Sequence, residues 1–251
     1  MADEAQRKAI EEVAAHFSGK AFERAAVLTG TTYQDNSTII IVPSRKSMIH
    51  YRVVSAWQSL IAPMNQKRLW LFVINDEVGV AYTNTIKMIL DNPELSTWKY
   101  ILTLESDNLP PPDAHVRLLE TIEAGKFDAV GGIYFTKGNI NMPMAYGDPE
   151  VLRATGKLEF TPRDPREALT RGLIMPVNGI AMGCSLYRLQ LFREVPAPWF
   201  VTANDVIPGK GVELMTQDLY FCKTALAAGK RFAIDFRVRV GHLDESTGEV
   251  Y

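Results

Sequence analysis

The tripeptide Glu105-Ser106-Asp107 places two carboxylates one residue apart, directly after the apolar run at 100–104. A turn at the end of a strand breaks the alternation of side chains, so both carboxylates can reach one point. Hard divalent cations prefer oxygen ligands, and phosphate oxygens can complete a partial set of protein ligands. The tripeptide therefore predicts a cation site, although solvated loop carboxylates or a cap for the next helix would fit the same residues.

Two later residues are further candidates for chemistry. Asp218 opens a predicted helix at 216–228, where it is either a first-turn acid or a general base for an acceptor hydroxyl. The helix dipole is expected to keep this carboxylate ionised. His242 follows a predicted strand at 231–240, and it is either a structural residue or a metal ligand. The residues alone leave both alternatives open.

Polar tripeptides also follow two earlier predicted strands. Pro43-Ser44-Arg45 offers a turn and a guanidinium suited to phosphate or base contacts, or simply an exposed arginine. Asn75-Asp76-Glu77 could accept hydrogen bonds from a base or ribose, or be a solvated loop. Both tripeptides are therefore candidates for nucleotide binding.

The elements that would position these residues are a series of strands and helices in alternation. Apolar runs predict strands at 38–42, 69–74, 100–104 and 128–134, and helices follow the first three, ending near 61, at 81–90 and at 113–124. Asp113 is the predicted cap of the third helix. This pattern predicts an α/β fold with a doubly wound, mostly parallel sheet. Ligands of such sheets bind beyond the carboxyl ends of the strands, so the three tripeptides should converge on one crevice.

The remaining segments are less regular. Residues 3–27 predict an amphipathic helix from their apolar spacing. Residues 136–175 predict irregular surface structure, 176–187 a turn leading into a strand, and 199–211 a loop. Trp199 and Phe200 in that loop could stack on a sugar or a base, and a hydrophobic lid is the favoured interpretation.

Composition limits the possible classes. The 251 residues are 47% apolar, which is enough for a sizeable core. The net charge of −2 argues against a protein that binds nucleic acid over its whole surface. Cys184 and Cys222 match no metal-ligand spacing and predict reduced, buried thiols. The chain shows no secretion leader and no run of apolar residues long enough to span a membrane, so a cytoplasmic protein is expected.

The order of these motifs resembles that of GT-A fold glycosyltransferases, near family 2 and its phage and bacterial relatives. The similarity covers roughly residues 38–244, and besides the motifs above it includes Val-Gly-Gly-Ile-Tyr-Phe at 130–135 and Val-Gly-His-Leu at 240–243. It implies a Rossmann-like GT-A sheet flanked by helices, with a smaller acceptor-side lobe. The implied domains are an N-terminal helical extension at 1–37 and one catalytic domain at 38–251. That domain would divide into a nucleotide-binding half at 38–135 and an acceptor half at 136–251.

The resemblance also implies roles for single residues on the donor side. Pro43, Ser44 and Arg45 would border the nucleotide, and Asp76 would contact its base. Gly179 would form a turn beneath the donor sugar and the acceptor. Glu105, Ser106 and Asp107 stand where the family has its Asp-X-Asp motif, with Glu in place of the first Asp, and would contact the donor.

The implied metal and base residues follow from the same alignment of motifs. Asp107 would be the direct ligand of a manganese or magnesium ion, and His242 would complete the metal site. The resemblance also places Glu105 in this metal set, but as a contact of the ribose or of the ion's surroundings more than as a direct ligand. Asp218 matches the acidic residue that serves as base in inverting members, although Gln217 stands where Glu is common.

The implied activity is transfer of a sugar from a UDP- or GDP-sugar to an acceptor hydroxyl. The acceptor stays open among a protein, a glycan, a lipid-linked sugar and a modified DNA base, and a phage protein would act in its host's cytoplasm. One alternative is a sugar-nucleotide nucleotidyltransferase, although the Gly-rich basic loop of that class is reduced here to Pro-Ser-Arg-Lys-Ser. A non-catalytic carbohydrate- or partner-binding module of the same fold is the other alternative.

Overall fold

The computed structural model of the protein describes residues 34–46, 48–207 and 211–251. The predicted helix at 3–27, and with it nearly all of the predicted N-terminal extension, lies outside the described residues. Residues Asn36–Tyr251 form one compact unit.

Seven of the strands form the central sheet of this unit, and the others form two-stranded pairs. The strands are β1 (Thr38–Ser44), β2 (Arg68–Ile74), β3 (Tyr100–Leu104), β4 (Asn108–Leu109), β5 (Ala129–Ile133), β6 (Ala145–Tyr146), β7 (Ile174–Val177), β8 (Gly179–Ile180), β9 (Cys184–Arg188), β10 (Ala203–Ile207), β11 (Gly211–Met215), β12 (Phe232–Arg239) and β13 (Gly241–His242). The α-helices are α1 (Tyr51–Gln58), α2 (Val78–Asp91), α3 (Ala114–Ala124), α4 (Pro149–Thr155), α5 (Glu167–Arg171), α6 (Leu191–Glu194) and α7 (Gln217–Ala227).

The central sheet has the strand order β2-β1-β3-β9-β5-β12-β7. β1 lies between β2 and β3 and is parallel to both, and β5 is parallel to β12. β9 is antiparallel to both β3 and β5, and β7 is antiparallel to β12. All strands except β7 and β9 therefore run in one direction, which confirms a mostly parallel α/β sheet flanked by helices.

Apolar side chains of the central strands point alternately to the two faces of the sheet, so each face has its own core. Ile39 and Ile41 of β1 belong to the core that includes α2 and α7, whereas Ile40 and Val42 belong to the core that includes α1 and α3. Burial on both faces explains why the run is continuously apolar. The carboxyl ends of β1 and β3 are thus fixed side by side.

The prediction of a stacking surface or lid at Trp199 and Phe200 is wrong. Both side chains are buried in the core beneath α7, where Phe200 lies 4.7 Å from Phe221 between ring centroids. The indole nitrogen of Trp199 donates to the carbonyl of Val195 at 2.8 Å. Burial in an aromatic cluster leaves neither ring free to stack on a sugar.

Other boundaries differ from the predictions. The predicted loop at 199–211 instead enters a hairpin in which β10 and β11 pair antiparallel. α1 starts only at Tyr51, where His50 caps it by accepting from the Arg52 amide, and it ends three residues before the predicted end. Asp113 makes no capping hydrogen bond, because its carboxylate pairs with Arg117 one turn on. The predicted irregular stretch 136–175 contains α4 and α5.

Membrane-spanning segments were sought among the helices of the described part of the chain. None of these helices combines the length and the apolar character needed to cross a bilayer.

Candidate functional site

A cavity of about 430 Å³ lies at the carboxyl ends of β1 and β3. Its lining residues are Pro43, Ser44, Arg45, Lys46, Val78, Glu105, Ser106, Asp107, Lys137, Asp244, Glu245 and Ser246. Two of the three tripeptides predicted to converge, Pro43-Ser44-Arg45 and Glu105-Ser106-Asp107, therefore do lie on one crevice. The parallel pairing of β1 with β3 brings their ends together.

The third tripeptide, Asn75-Asp76-Glu77, contributes Asn75 to a cavity instead of the predicted Asp76. A second cavity of about 560 Å³ shares Arg45, Lys46 and Glu245 with the first and is lined by Asn75, but Asp76 is exposed and lines neither cavity. Asn75 takes a left-handed backbone conformation with φ of 72°, which asparagine tolerates. Glu77 caps α2 by accepting from the Val80 amide at 3.0 Å. Of this tripeptide, Asn75 lines the cavity, and the contact of Asp76 with a base stays a prediction.

Backbone hydrogen bonds on both sides fix the acidic tripeptide in place. The Glu105 amide donates to the Gly183 carbonyl at 3.2 Å, and the Leu243 amide donates to the Asp107 carbonyl at 2.8 Å. β4 pairs antiparallel with β13, which sets His242 opposite Asn108. This ladder joins Asn108 to His242, which is 134 positions later in the chain, and therefore brings His242 close to Asp107.

A close approach at Gly183 tightens the same corner. A Cβ at this position would lie 2.5 Å from the Asn108 side-chain oxygen and 2.6 Å from the Tyr134 hydroxyl. The Gly183 amide donates to that hydroxyl at 2.8 Å. Only glycine lets the turn before β9 pass beneath Asn108, so this residue supports the acidic segment sterically.

Asp107 and His242 form the metal-type pair of the site. The Oδ2 atom of Asp107 lies 3.5 Å from Nε2 of His242, and Nδ1 lies 2.8 Å from the Phe135 carbonyl. A carbonyl only accepts, so Nδ1 carries the proton, and Nε2 faces the carboxylate with a lone pair in the neutral ring. Metal-binding histidines usually donate their other ring N–H to such a carbonyl. The donor set thus suits a divalent ion with two protein ligands.

The predicted three-residue metal set is wrong in its third member. Within residues 34–46, 48–207 and 211–251, no group of three or more His, Cys, Asp or Glu side chains is arranged to hold a metal ion. Burial, followed by the charges of Asp107 and Asp218, raises the pKa of Glu105 to about 8. The structure therefore offers Asp107 and His242 as candidate ligands, without a third ligand from Glu105.

Lys137 is a functional candidate that the sequence analysis missed. Its ammonium contacts Oδ2 of Asp107 at 2.5 Å, four residues after the end of β5. Burial would raise the pKa of Asp107, but the contacts with His242 and Lys137 outweigh it and lower that pKa. The available signal was the position of a lysine just past the carboxyl end of a buried strand.

A second ion pair closes the cavity from the C-terminal side. Lys46 pairs with Glu245, and the Arg52 guanidinium donates to the Gly248 carbonyl at 2.9 Å. The segment 244–248 thereby spans from β13 to the loop after β1. The sequence gives no signal for this contact, because the partners are about 200 residues apart.

Asp218 lies in the first turn of α7 and is buried. Its Oδ1 accepts from the Thr216 hydroxyl and, at 2.9 Å, from the Leu219 amide. Burial outweighs these hydrogen bonds and raises its pKa above the usual value, so burial opposes the charge that the helix dipole was expected to favour. Its charge contributes to the raised pKa of Glu105, but Asp218 lines neither cavity.

Gly179 packs against α7, the helix that carries Asp218, and lines neither of the two cavities. It lies in β8, where a Cβ would come within 2.9 Å of Leu219 and 3.0 Å of Phe160. The predicted role of Gly179 beneath a donor sugar stays a prediction. Its position in β8 brings the backbone close to the side chain of Leu219, the residue next to Asp218.

Comparisons with known proteins give a structural similarity only. No protein-family model and no curated protein matches the sequence. The crystal structure of A197 from STIV is similar to this chain with a TM-score of 0.56 and 15% sequence identity, over 85% of this chain and 92% of that one. The similarity establishes a shared fold: a mixed α/β, Rossmann-like architecture with a mostly parallel central sheet.

Proposed function

We propose that this protein is a metal-dependent glycosyltransferase of the GT-A type that moves a sugar from a UDP- or GDP-sugar to an acceptor hydroxyl. What supports the proposal is one cavity at the strand ends where Arg45, Lys46 and Lys137 meet the Asp107–His242 pair. Ammonium and guanidinium groups in a cleft suit a diphosphate, and the carboxylate–imidazole pair suits a divalent cation.

The donor side is assigned to the ends of β1 and β3. The diphosphate lies against Arg45 and Lys46, and the cavity lined by Asn75 and His50 receives the base. Asp107 and His242 would hold a divalent ion, which would supply Lewis-acid neutralisation of the negative charge on the leaving diphosphate. Glu105 lines the same cavity and would contact the donor.

The acceptor side is assigned to Asp218. A pKa raised by burial increases the proton affinity of this carboxylate, which a general base needs. The hydrogen bonds from Thr216 and Leu219 both hold Oδ1, so Oδ2 takes the proton of the acceptor hydroxyl. A base on the face opposite the leaving diphosphate gives inversion at the anomeric carbon.

Product analysis with UDP- and GDP-sugars in the presence of Mn²⁺ tests the proposal. We expect release of UDP or GDP from at least one donor, abolished by a chelator. Pyrophosphate as the product would instead identify a nucleotidyltransferase. No nucleotide product from any donor, with or without Mn²⁺, would refute the transferase and favour a non-catalytic binding module.

A further inference from the structure

An ammonium and an imidazole nitrogen face the same carboxylate oxygen in the site. Lys137 Nζ lies 2.5 Å from Oδ2 of Asp107, and His242 Nε2 faces that same oxygen at 3.5 Å. An ion held between Asp107 and His242 would share Oδ2 with a fixed ammonium. Two positive charges on a single oxygen repel each other strongly in a half-buried cavity.

The backbone presents Lys137 to the cavity in a closed turn. The Thr136 amide donates to the Met142 carbonyl at 2.9 Å, and the Met142 amide donates back to the Thr136 hydroxyl at 3.0 Å. The same hydroxyl donates to the Ile140 carbonyl at 2.7 Å. These bonds close the segment 136–142 on itself, so Lys137 is held at the cavity rim.

We infer that Lys137 is an exchangeable cation of this site. It neutralises Asp107 in the ligand-free protein, yields Oδ2 when a divalent cation binds Asp107 and His242, and then pairs with the diphosphate of the incoming nucleotide. The last step rests on the proposed function, and the first two do not.

The surroundings of Lys137 leave the diphosphate as its new partner. Asp244 already accepts from the Ser246 amide at 2.8 Å and from its hydroxyl at 2.6 Å. Glu245, which lines the same cavity, is paired with Lys46. An ammonium displaced from Asp107 therefore has a phosphate oxygen as the strongest acceptor that could enter the cavity.

Lys46 provides a matched control in the same cavity. It carries the same charge and lines the same wall, but its carboxylate partner is Glu245 and not Asp107. Removing Lys46 should therefore weaken an anionic ligand without changing the competition for Asp107.

The experiment measures two affinities in wild type, Lys137→Met, Lys137→Arg and Lys46→Met. Mn²⁺ binding without nucleotide is followed by electron paramagnetic resonance of the free ion, and UDP and GDP binding at saturating Mn²⁺ by calorimetry. We expect Lys137→Met to bind Mn²⁺ roughly three- to tenfold more tightly and the nucleotide roughly tenfold more weakly. Lys137→Arg should match wild type in both, and Lys46→Met should lose nucleotide affinity alone.

Opposite signs for the two ligands are the mark of exchange, since damage to the fold would weaken both. Unchanged or weaker Mn²⁺ binding in Lys137→Met would overturn the inference. Unchanged nucleotide affinity in that variant would remove the diphosphate step. If wild type binds neither UDP nor GDP, the proposed function fails, while the Mn²⁺ comparison still decides whether Lys137 competes for Asp107.

Discussion

Asp107 and Asp218 are the two candidate acids of the proposed activity, and their surroundings move their pKa values in opposite directions. Asp107 contacts Lys137 and His242, and these contacts overcome the effect of burial and lower its pKa. Asp218 is buried with only a hydroxyl and an amide on its carboxylate, and its pKa is raised. In the sequence, Asp107 follows a predicted strand and Asp218 opens a predicted helix, so both are acids at the end of an element.

The difference separates two kinds of carboxylate chemistry. A carboxylate with a depressed pKa keeps its charge and holds a cation across the physiological pH range, whereas one with a raised pKa can accept a proton. Neighbouring cations, more than burial, decide between the two roles here. Each of the variants below removes or tests one side of this contrast.

The largest effect is expected at Asp218, the carboxyl group whose pKa is raised by burial. Asp218→Asn should lower nucleotide release in the sugar-transfer assay by about 10²–10⁴-fold, because base catalysis typically contributes that much. UDP or GDP affinity at saturating Mn²⁺ should stay within about twofold of wild type, since Asp218 lines neither cavity assigned to the nucleotide. Single-turnover kinetics together with calorimetry measures both quantities.

Thr216→Val is a useful companion to that variant. It removes the hydroxyl that donates to Oδ1 but leaves the carboxylate in place. We expect the acid limb of the pH–rate profile to move to higher pH, because a hydrogen bond that lowered the pKa of Asp218 is gone. Full turnover in Asp218→Asn would show that another group is the base.

His115 shows the same effect of uncompensated burial on a base. Its Nε2 lies 3.1 Å from Thr38 Oγ1, which already donates to the Asn36 carbonyl, so Nε2 carries the proton. Nδ1 is buried without a partner, and burial lowers the pKa of His115 from 6.5 to about 4. Between these values the unfolded chain binds a proton that the folded protein does not.

The stability contributed by neutral His115 is therefore complete above pH 6.5 and declines as the pH falls towards 4. The loss should reach about 3.5 kcal/mol in the free energy of unfolding, from roughly 2.5 pKa units at 1.4 kcal/mol each. Urea unfolding of wild type and His115→Gln at pH 4.5 and 7.5 measures it. An equal pH dependence in the two proteins would show that His115 does not titrate in this way.

The next largest effect is expected at Asp107, the carboxylate that pairs with Lys137. Asp107→Asn should weaken Mn²⁺ binding by about 10–100-fold, because it removes the negatively charged ligand and leaves His242 with a neutral amide. Electron paramagnetic resonance measures it, with Asp244→Asn at the cavity rim as a matched loss of one charge. Comparable losses in the two variants would indicate a general electrostatic effect and no ion at Asp107.

Most of the sheet could be predicted from the sequence, because its strands are continuous apolar runs buried on both faces. The direction of β9 could not, since its pairing with β3 and β5 depends on contacts distant in the chain. α4 was overlooked despite readable signals: Asp148 caps it by accepting from the Glu150 amide, and Gly156 ends it with φ of 70°. Trp199 and Phe200 were misplaced because their burial depends on α7.

The site was predictable where it follows strand ends. Pro43-Ser44-Arg45 and the acidic tripeptide reach one cavity because parallel pairing places their strand ends together. The ionisation states were not predictable, because the acidity of Glu105 and of Asp218 depends on burial that only the folded chain creates. The pairing of Lys137 with Asp107 depends equally on how the turn at 136–142 folds.

The smallest effect is expected at the exposed ion pair that closes the cavity. The Lys46 side chain is 67% exposed, and exposed pairs contribute only about 0.2–1 kcal/mol to stability. Glu245→Gln should therefore change the free energy of unfolding by less than about 1 kcal/mol. It should tighten UDP or GDP binding by roughly two- to fivefold, because it removes a negative charge from an anion site and frees Lys46. Calorimetry at low and high salt measures this gain, which should shrink as salt screens the charges. A loss of nucleotide affinity would show instead that Glu245 itself contacts the nucleotide, and the contrast with Asp107 would then separate a cation-binding acid from a ligand-binding one.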